Sequence, residues 1–329
     1  MAVGDMPITS TEPKARRMNL HSMREGGLIV IILAICIAMS FASPYFMTWG
    51  NVKAMMLSFA VDGIVVVGMT ILLIVGGIDL SVGSVVCLSM TVSGSLFLAG
   101  AAPWLASIGG IAAAALVGVC MGLCVTMVGL SYFITSLAFM VIARGLSMLI
   151  TQGTPLSLFT LPPTFKFIGQ GTIEGVPFVI VIFVVIALIF DVLLRRATVF
   201  RRFLYTGSNE QAARYSGINV KRVKFGATVL CSGLAGLAGV IYMARFGSAT
   251  PTFGVGMELN VIAAAVIGGA SLNGGSGSIL GAVLGVALLS IVSSSLLLLD
   301  VSVYWQDMIR GCILLAAVAA DHFMQKRKA

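Results

Sequence analysis

Long apolar runs, each close to the length of a membrane-crossing helix, dominate this chain of 329 residues. A helix needs about 20 apolar residues to cross the hydrocarbon core of a bilayer, and about ten such runs are present. They lie near 27–43, 53–75, 84–102, 105–129, 132–151, 177–194, 224–244, 257–270, 278–298 and 301–320. Only 10% of the residues are charged, too few for a soluble surface. The sequence therefore predicts an all-α polytopic membrane protein, with no role in nucleic-acid binding.

The direction of the chain through the membrane follows from its basic residues, which favour the cytoplasmic side. The basic segment 195–224 carries eight Lys or Arg residues and a single acid, Glu210. With the N-terminus inside, ten crossings place this segment and both tails in the cytoplasm. We therefore predict a cytoplasmic tail at 1–26, a membrane domain at 27–320 and a cytoplasmic tail at 321–329. The eighth run is short and predicts a half-helix, so nine crossings remain the alternative.

Two glycine-rich runs predict interruptions of the membrane helices. The run GGIDLSVGS at 76–84 recurs as GGASLNGGS at 268–276, and the Arg-Gly pair at 144–145 recurs at 310–311. The second pair lies five crossings apart, which indicates an inverted duplication, but the first pair does not fit that spacing. Non-helical backbone at membrane depth survives only where protein buries it or where it lines a cavity. The runs therefore predict a translocation path or its gate, with ordinary tight turns as the alternative.

Polar residues near these runs are the candidates for lining the path. They are Asp62, Gly76, Gly77, Asp79, Ser81, Ser84, Arg144, Ser271 and Asn273. A charged side chain at the centre of a membrane helix costs roughly 2.5–3.5 kcal/mol, so each needs a partner or water. Arg144 has no acid near it on its own helix, and we predict Asp79 as its partner on another helix. Asp62 either lines the path or lies at the interface, and the hydroxyl and amide groups suit a neutral polyol.

The basic segment contains the signature of a short capped helix. Ser208 is predicted to cap it, Gln211 to complete a capping box, and Gly217 to end it, which gives a helix over 209–216. Arg214 and Tyr215 would be its exposed contacts. A docking site for a cytoplasmic partner is predicted here, and an anchor to anionic lipid is the alternative. The predicted coupling residues are Gly207, Ser208, Asn209, Glu210, Arg214 and Gly217.

These motifs carry a resemblance to a family. The chain resembles the sugar-type permease subunits of bacterial ATP-binding-cassette importers, the group that includes ribose, arabinose and galactoside permeases. The motifs are the runs at 76–84, 143–145, 207–218, 266–275 and 310–311, which appear in order over most of the chain. The family often has a second glycine where this chain has Ser208.

The resemblance implies the partners of the chain. They are a second permease copy, usually in a homodimer although a heterodimer is possible, a cytoplasmic ATPase and a periplasmic sugar-binding protein, all at the bacterial inner membrane. It also places the family's coupling helix on 207–217. The sequence contains no G-x-x-x-x-G-K-[ST] phosphate-binding loop. We therefore predict that the chain is not an enzyme, that it holds no metal or cofactor, and that the partner ATPase binds ATP and magnesium.

The predicted function is translocation of a monosaccharide, a pentose or a hexose, that a periplasmic protein delivers. Within the same family, the alternative is a permease for a furanone signal, a nucleoside or a branched-chain amino acid. A self-sufficient secondary carrier would use a relay of acids or histidines, but both histidines, His21 and His322, lie in the predicted tails. A membrane-embedded enzyme would need a nucleophile and base at a fixed spacing, which the sequence does not show.

Overall fold

Residues 20–326 are described by the computed structural model, and most of them are helical. The helices are α1 (Leu20–Ala42), α2 (Trp49–Ile74), α3 (Val82–Leu98), α4 (Pro103–Leu123), α5 (Tyr132–Thr151), α6 (Pro163–Gln170), α7 (Phe178–Arg196), α8 (Thr198–Ser208), α9 (Glu210–Tyr215), α10 (Val220–Phe246), α11 (Met257–Ile267), α12 (Ile279–Leu298) and α13 (Val303–Lys326). A π-helical turn, Cys124–Val128, continues α4. The predicted all-α class is confirmed.

Short strands tie one connecting segment to the end of α10. They are β1 (Leu156–Ser157), β2 (Thr172–Ile173), β3 (Val176–Pro177) and β4 (Ser248–Ala249). Strand β1 pairs with β4 and β2 pairs with β3, both antiparallel. The β1–β4 pair fixes the connection between α5 and α7 against the residues that follow α10.

Seven helices in the described part of the chain are long and apolar enough to cross a membrane. They are α1, α2, α4 with its π turn, α5, α7, α10 and α12. Helices α3 and α11 are apolar but have only 17 and 11 residues. A polytopic helical membrane protein is therefore confirmed. Each predicted run falls on one of these nine helices or on α13, and the short α11 agrees with the half-helix expected near 257–270. The number of crossings remains a prediction.

Helices α2 and α10 form the centre of the bundle. In the most apolar 18-residue stretch of each of these two helices, 78% is buried within the chain, against 11% in the corresponding stretch of α1. The two helices approach closely at Gly68, where a Cβ atom would lie 3.1 Å from the Cα of Cys231. Small residues permit such close backbone contact between membrane helices, which gain packing energy from it. Helices α3 and α4 pack on α10, while α7 and α12 pack on α2.

The basic segment 195–224 contains two helices, α8 and α9, where the sequence predicted one over 209–216. The predicted cap is wrong: the N-cap of α9 is Asn209, whose Oδ1 accepts a hydrogen bond from the N–H of Ala212 at 2.9 Å. Ser208 ends α8, and its hydroxyl donates back to the carbonyl of Leu204 at 2.8 Å. Serine hydroxyls often bond the carbonyl four residues earlier in this way. The third helical residue is then Ala212, so the capping box with Gln211 is also wrong.

The end of α9 confirms the sequence prediction. Gly217 has a φ of +79°, in the left-handed region that glycine adopts without strain. Its N–H donates to the carbonyl of Arg214 at 3.0 Å, and the next N–H, of Ile218, donates to Ala213. This closure stops the helix after six residues and turns the chain toward α10.

The predicted tails fall only partly on the described residues. The tail at 1–26 overlaps α1 from Leu20 onward, and residues 1–19 lie outside the described part. The tail at 321–329 overlaps α13 as far as Lys326, and residues 327–329 lie outside. The domain boundaries and the cytoplasmic location of both tails remain predictions.

Candidate functional site

The first glycine-rich break connects α2 to α3. Gly76 has a φ of +85°, which ends α2 sharply. Asp79 is fully buried, and its Oδ1 accepts hydrogen bonds from the N–H and the hydroxyl of Ser81 at 2.7 and 2.6 Å. Ser84 is buried in the first turn of α3. The carboxylate of Asp79 therefore fixes the backbone that starts α3.

Gly77 in the same break packs against the start of α5. A Cβ atom at this position would lie 2.9 Å from the Cζ of Tyr132. The hydroxyl of Tyr132 in turn lies 3.4 Å from the carbonyl of Lys224, to which it donates. This contact connects the first break to the start of α10, at the end of the basic segment.

A second break, which the sequence analysis missed, connects α10 to α11 over residues 247–256. Gly247, Gly254 and Gly256 all have positive φ. The break meets the start of α3, because a Cβ on Gly254 would lie 2.7 Å from the carbonyl oxygen of Gly83. The short helices α3 and α11 thus begin beside each other inside the bundle. The cluster of Gly254, Gly256 and Pro251 is the sequence signal that could have indicated this break.

Arg144 on α5 holds the second break in place. Its Nη1 donates to the carbonyl of Pro251 at 3.0 Å and to that of Phe253 at 2.6 Å. The predicted pairing of Arg144 with Asp79 is therefore wrong. The physical reason is that a break in a membrane helix leaves carbonyl groups without helical donors, and a guanidinium supplies several N–H groups to them. The carboxylate of Asp79 accepts from Ser81 instead.

Asp62 lies midway along α2 and accepts a hydrogen bond from the hydroxyl of Tyr242 on α10 at 2.5 Å. It also lines a cavity between α2, α11, α12 and α13. Both alternatives for Asp62, lining the path or lying at a solvated or interfacial position, remain predictions, although the residue is eleven positions after Asn51 in a continuous helix. Tyr242 was not among the predicted site residues, because a tyrosine within an apolar run is ordinarily interpreted as part of the hydrophobic core.

The glycine run at 268–278 forms a compact turn between α11 and α12. The N–H of Ser271 donates to the carbonyl of Ser276 at 3.0 Å, and its Oγ accepts from the N–H of Asn273 at 3.2 Å. Gly274 and Gly275 both have positive φ. Ser271 and Asn273 therefore shape the turn itself.

The tip of α8 meets both predicted glycine runs in a contact that we call the glycine junction, formed by Gly76, Gly207, Gly274 and Gly275. The N–H of Gly275 donates to the carbonyl of Ile74, the last residue of α2, at 2.8 Å. A Cβ on Gly207 would collide with that same carbonyl oxygen.

The remaining contacts of the junction are equally close. A Cβ on Gly274 would lie 3.0 Å from the carbonyl oxygen of Gly207 and 3.0 Å from the nitrogen of Gly76. The hydroxyl of Ser208, which donates to Leu204, also lies 3.3 Å from the carbonyl oxygen of Gly275. Glycine permits this approach because it has no Cβ. The structure thus brings the predicted coupling segment into backbone contact with both predicted gate segments. The two gate segments are themselves more than a hundred residues apart in the sequence.

Ion pairs attach α9 to the start of α10. Glu210 contacts Arg214 at 2.5 Å and Lys224 at 2.6 Å. The hydrogen bond from Lys224, and then that from Arg214, hold the pKa of the Glu210 carboxyl below its usual range. Tyr215 is 92% exposed and projects from the same helix. Helix α9 therefore exposes an aromatic ring while its acid fixes its position.

The residues from 51 to 318 match the family described as the permease component of branched-chain amino acid transport systems. The chain belongs to this permease family. It is therefore a transport component and not a catalytic one. Together with its seven long apolar helices, membership of the family makes it a multi-pass inner-membrane protein.

Among curated proteins, the permease is similar to importers of sugars. It is 37% identical over 305 residues to a ribose import permease of Escherichia coli strain K12, with 92% of this chain and 95% of the relative covered. It is 36% identical to a ribose import permease of Bacillus subtilis strain 168, covering 90% of each chain. A D-allose transport system permease of Escherichia coli is 32% identical over 96% of this chain and 97% of its own length. No solved structure gives a significant match.

The carboxylate of Glu210 offers a test of the ion-pair cluster. Replacement of Glu210 with glutamine removes the charge that Arg214 and Lys224 share, so α9 should lose its fixed position. In membrane vesicles we expect ATP hydrolysis by the assembled transporter to continue while solute uptake falls. The exposed Glu174 supplies the control, because Glu174→Gln lies in the connection between α5 and α7.

The same cluster predicts a direction for pH dependence. A lowered pKa means that the pairing stabilises α9 above the ordinary pKa of glutamate and is lost as the pH falls through the lowered value. Coupling of hydrolysis to uptake should therefore be constant between neutral pH and mild acid. Uptake that survives Glu210→Gln with unchanged coupling would contradict the role of the cluster.

Proposed function

We propose that this chain is the permease subunit of an ATP-driven importer, and that it translocates a monosaccharide, a pentose or a hexose. The glycine junction is the observation that carries the proposal. A self-sufficient carrier has no need of a cytoplasmic segment pressed against both the end of α2 and the turn between α11 and α12, whereas a permease driven by an external motor does. The relatives named for ribose and D-allose transport, each covered over nine-tenths of its length, support a monosaccharide as the solute.

The partners follow from this role. A cytoplasmic ATPase binds ATP and magnesium, because the chain has no phosphate-binding loop of its own. It docks on α9 through the exposed Tyr215 and the region from Gly207 to Gly217. A periplasmic binding protein delivers the sugar, and a second permease copy, most simply in a homodimer, completes the transporter.

We propose that the chain crosses the membrane ten times, with both tails and the basic segment in the cytoplasm. In this arrangement α1–α5 form one half and α7 with α10–α13 form the other, in inverted orientation. The short α3 then corresponds to α11, and Arg144 on α5 corresponds to Arg310 on α13. The break at 75–81 corresponds to 247–256, so the repeated glycine run at 268–276 is a separate feature and not the counterpart of 76–84.

The mechanism follows from which atoms are in contact. When ATP closes the two ATPases, α9 moves with them and carries the tip of α8. Because Gly207 lies against Ile74 and Gly275, the end of α2 and the turn between α11 and α12 move as well. The path lined near Asp62 then opens to the opposite side. Gly76, Gly77, Asp79, Ser81, Ser84, Ser271 and Asn273 act as the gate, and Arg144 positions the break at 247–256.

Reconstitution tests this proposal. The chain is assembled with its cognate ATPase and binding protein, in liposomes that contain ATP inside and the binding protein outside. Aldopentoses, aldohexoses and the three branched-chain amino acids are offered one at a time. We expect uptake of one monosaccharide, and only when all three proteins and ATP are present.

Two other outcomes separate the alternatives. Uptake of leucine, isoleucine or valine without any sugar would replace the monosaccharide with the solute that the family description names. Uptake by the chain alone would make it a self-sufficient carrier and would contradict the proposal of an ATP-driven importer.

A further inference from the structure

A cavity of about 310 Å³ lies between α2, α11, α12 and α13. It is lined by α2 from Asn51 to Val66, far from the end of that helix at Ile74, where the glycine junction begins. The lining residues of α12 run from Val286 to Leu297, toward the end of that helix remote from the turn with Gly274 and Gly275. The cavity therefore occupies the end of the bundle remote from the basic segment.

Helix α2 turns a single face toward this cavity. Its lining residues include Asn51, Met55, Ser58, Asp62 and Val66, with spacings of three or four that follow one side of a helix. Three of these five are polar in a helix that is otherwise almost entirely apolar. Polar groups within membrane helices face the bundle interior or a water-filled space, because lipid cannot satisfy them.

The facing helices add further polar groups. Ser290 and Ser293 line the cavity from α12, Gln306 and Arg310 line it from α13 at a spacing of four, and Asn260 lines it from α11. Hydroxyl and amide groups thus converge from all four walls. The lining also includes apolar side chains, such as those of Val261, Val286 and Leu289 on two of the walls.

Hydrogen bonds hold several of these groups in fixed orientations. The hydroxyl of Ser294 donates to the Oδ1 of Asn51 at 3.0 Å, which joins α12 to α2. Gln306 donates to the carbonyl of Val301 at 2.9 Å, and Asp62 accepts from Tyr242. A site whose polar groups are already oriented loses less conformational freedom when it binds a solute.

We propose that this cavity binds one monosaccharide within each permease chain. The inference rests on the proposed function and names the place where the solute is held. The volume lies at the small end of the range for ligand sites, as a single sugar ring requires. The hydroxyl, amide and carboxylate groups pair with sugar hydroxyls, and the valine and leucine side chains contact the apolar face of the ring.

The walls of the cavity are also the helices that the glycine junction controls. Helix α2 ends at the junction, and the turn with Gly274 and Gly275 connects α11 to α12. A movement of α8 therefore reaches three of the four walls at their far ends. Alternating access needs such an arrangement, in which the solute binds at one end of the bundle and the moving contact, the glycine junction, lies at the other.

Protection of a cysteine from modification tests the site. Ser290→Cys is made in a full-length chain in which the cysteines that are not buried, Cys36, Cys120, Cys124 and Cys312, are replaced by serine, and the protein is reconstituted with its ATPase. A small methanethiosulfonate reagent is applied with each aldopentose and aldohexose in turn, and with leucine. At a concentration ten times its dissociation constant, the sugar that supports uptake leaves about one site in ten empty. The rate of cysteine modification should therefore fall about tenfold.

Matched variants make the result specific. Ser302→Cys, in the exposed connection after α12, should react at the same rate with and without sugar. Asp62→Asn should raise the half-protecting concentration at Ser290→Cys about tenfold, through loss of a charged acceptor. Ser293→Cys, on the same face, takes the place of Ser290→Cys if the latter is not inserted into the membrane.

The outcomes separate this site from the proposed function. Modification at an unchanged rate, in vesicles that still take up a sugar, would overturn the site and leave the importer intact. Protection by leucine and not by any sugar would overturn the monosaccharide as the occupant. Absence of uptake of every sugar by the unmodified transporter would instead count against the proposed function.

Discussion

Replacement of Gly207 with valine is expected to abolish most ATP-driven uptake. The Cβ of any larger residue would collide with the carbonyl oxygen of Ile74 and lie 2.6 Å from the nitrogen of Gly275. Both are backbone atoms, so no side chain can rotate away. Overpacking of this kind costs about 1–3 kcal/mol, and 1.4 kcal/mol corresponds to about a tenfold change. Uptake in the reconstituted vesicles should therefore fall by about fivefold to a hundredfold while ATP hydrolysis continues.

Gly226→Ala is the matched control for this variant. Gly226 lies nearly two turns into α10, close to the same end of the bundle, and a Cβ there meets no atom within 4 Å in the chain. Its uptake should equal that of the unmodified permease. Normal uptake by Gly207→Val, with normal amounts of protein in the membrane, would show that the glycine junction has no part in coupling.

The second large effect is expected at Arg144. Replacement with leucine removes both hydrogen bonds to the break at 247–256 and leaves the carbonyls of Pro251 and Phe253 without this donor. The carbonyl of Pro251 keeps a second donor, the thiol of Cys87 at 3.1 Å, so the larger loss is at Phe253. A buried polar group that loses its partner costs about 1–3 kcal/mol. The thermal midpoint of the purified protein in detergent should fall, and uptake should be lost with it.

A lysine at the same position distinguishes the geometry from the charge. Arg144→Lys keeps a cation and a donor but not the planar guanidinium, so we expect partial recovery of the thermal midpoint. Asp79→Asn should not behave like Arg144→Leu, because Asp79 bonds Ser81 and not Arg144. If Asp79→Asn lowered the thermal midpoint as much as Arg144→Leu, the result would support a pairing of Arg144 with Asp79 and would contradict the structure.

Much of the fold could be predicted because the bilayer imposes a strong pattern on the sequence. Each run of apolar residues falls on a helix, and the short eighth run falls on α11. Gly217 ends α9 as predicted, since the left-handed conformation favours glycine regardless of the surroundings. Features that depend on chain length and backbone conformation are therefore visible in the sequence.

Features that depend on contacts between distant segments were not visible. The partners of Arg144 are two backbone carbonyls. Every residue has a backbone carbonyl, so the sequence does not show which of them will accept these hydrogen bonds. The break at 247–256 was missed because it contains no adjacent pair of glycines like those at 76–77 and 268–269. Ser208 was taken as a cap because its residue type favours one, while the extended backbone of Asn209 decides the matter in the folded chain.

The composition of the glycine junction also determines how its signal depends on solution conditions. The contact is made by peptide groups and by a single hydroxyl, without any ionisable side chain. Salt screens charges and protons titrate acids, but neither alters the van der Waals radius of a carbonyl oxygen. The step from α8 to the membrane helices therefore depends on close packing and neutral hydrogen bonds, not on charge. Its efficiency should be the same at low and high ionic strength, even where the proposed binding of the ATPase to the basic segment is not.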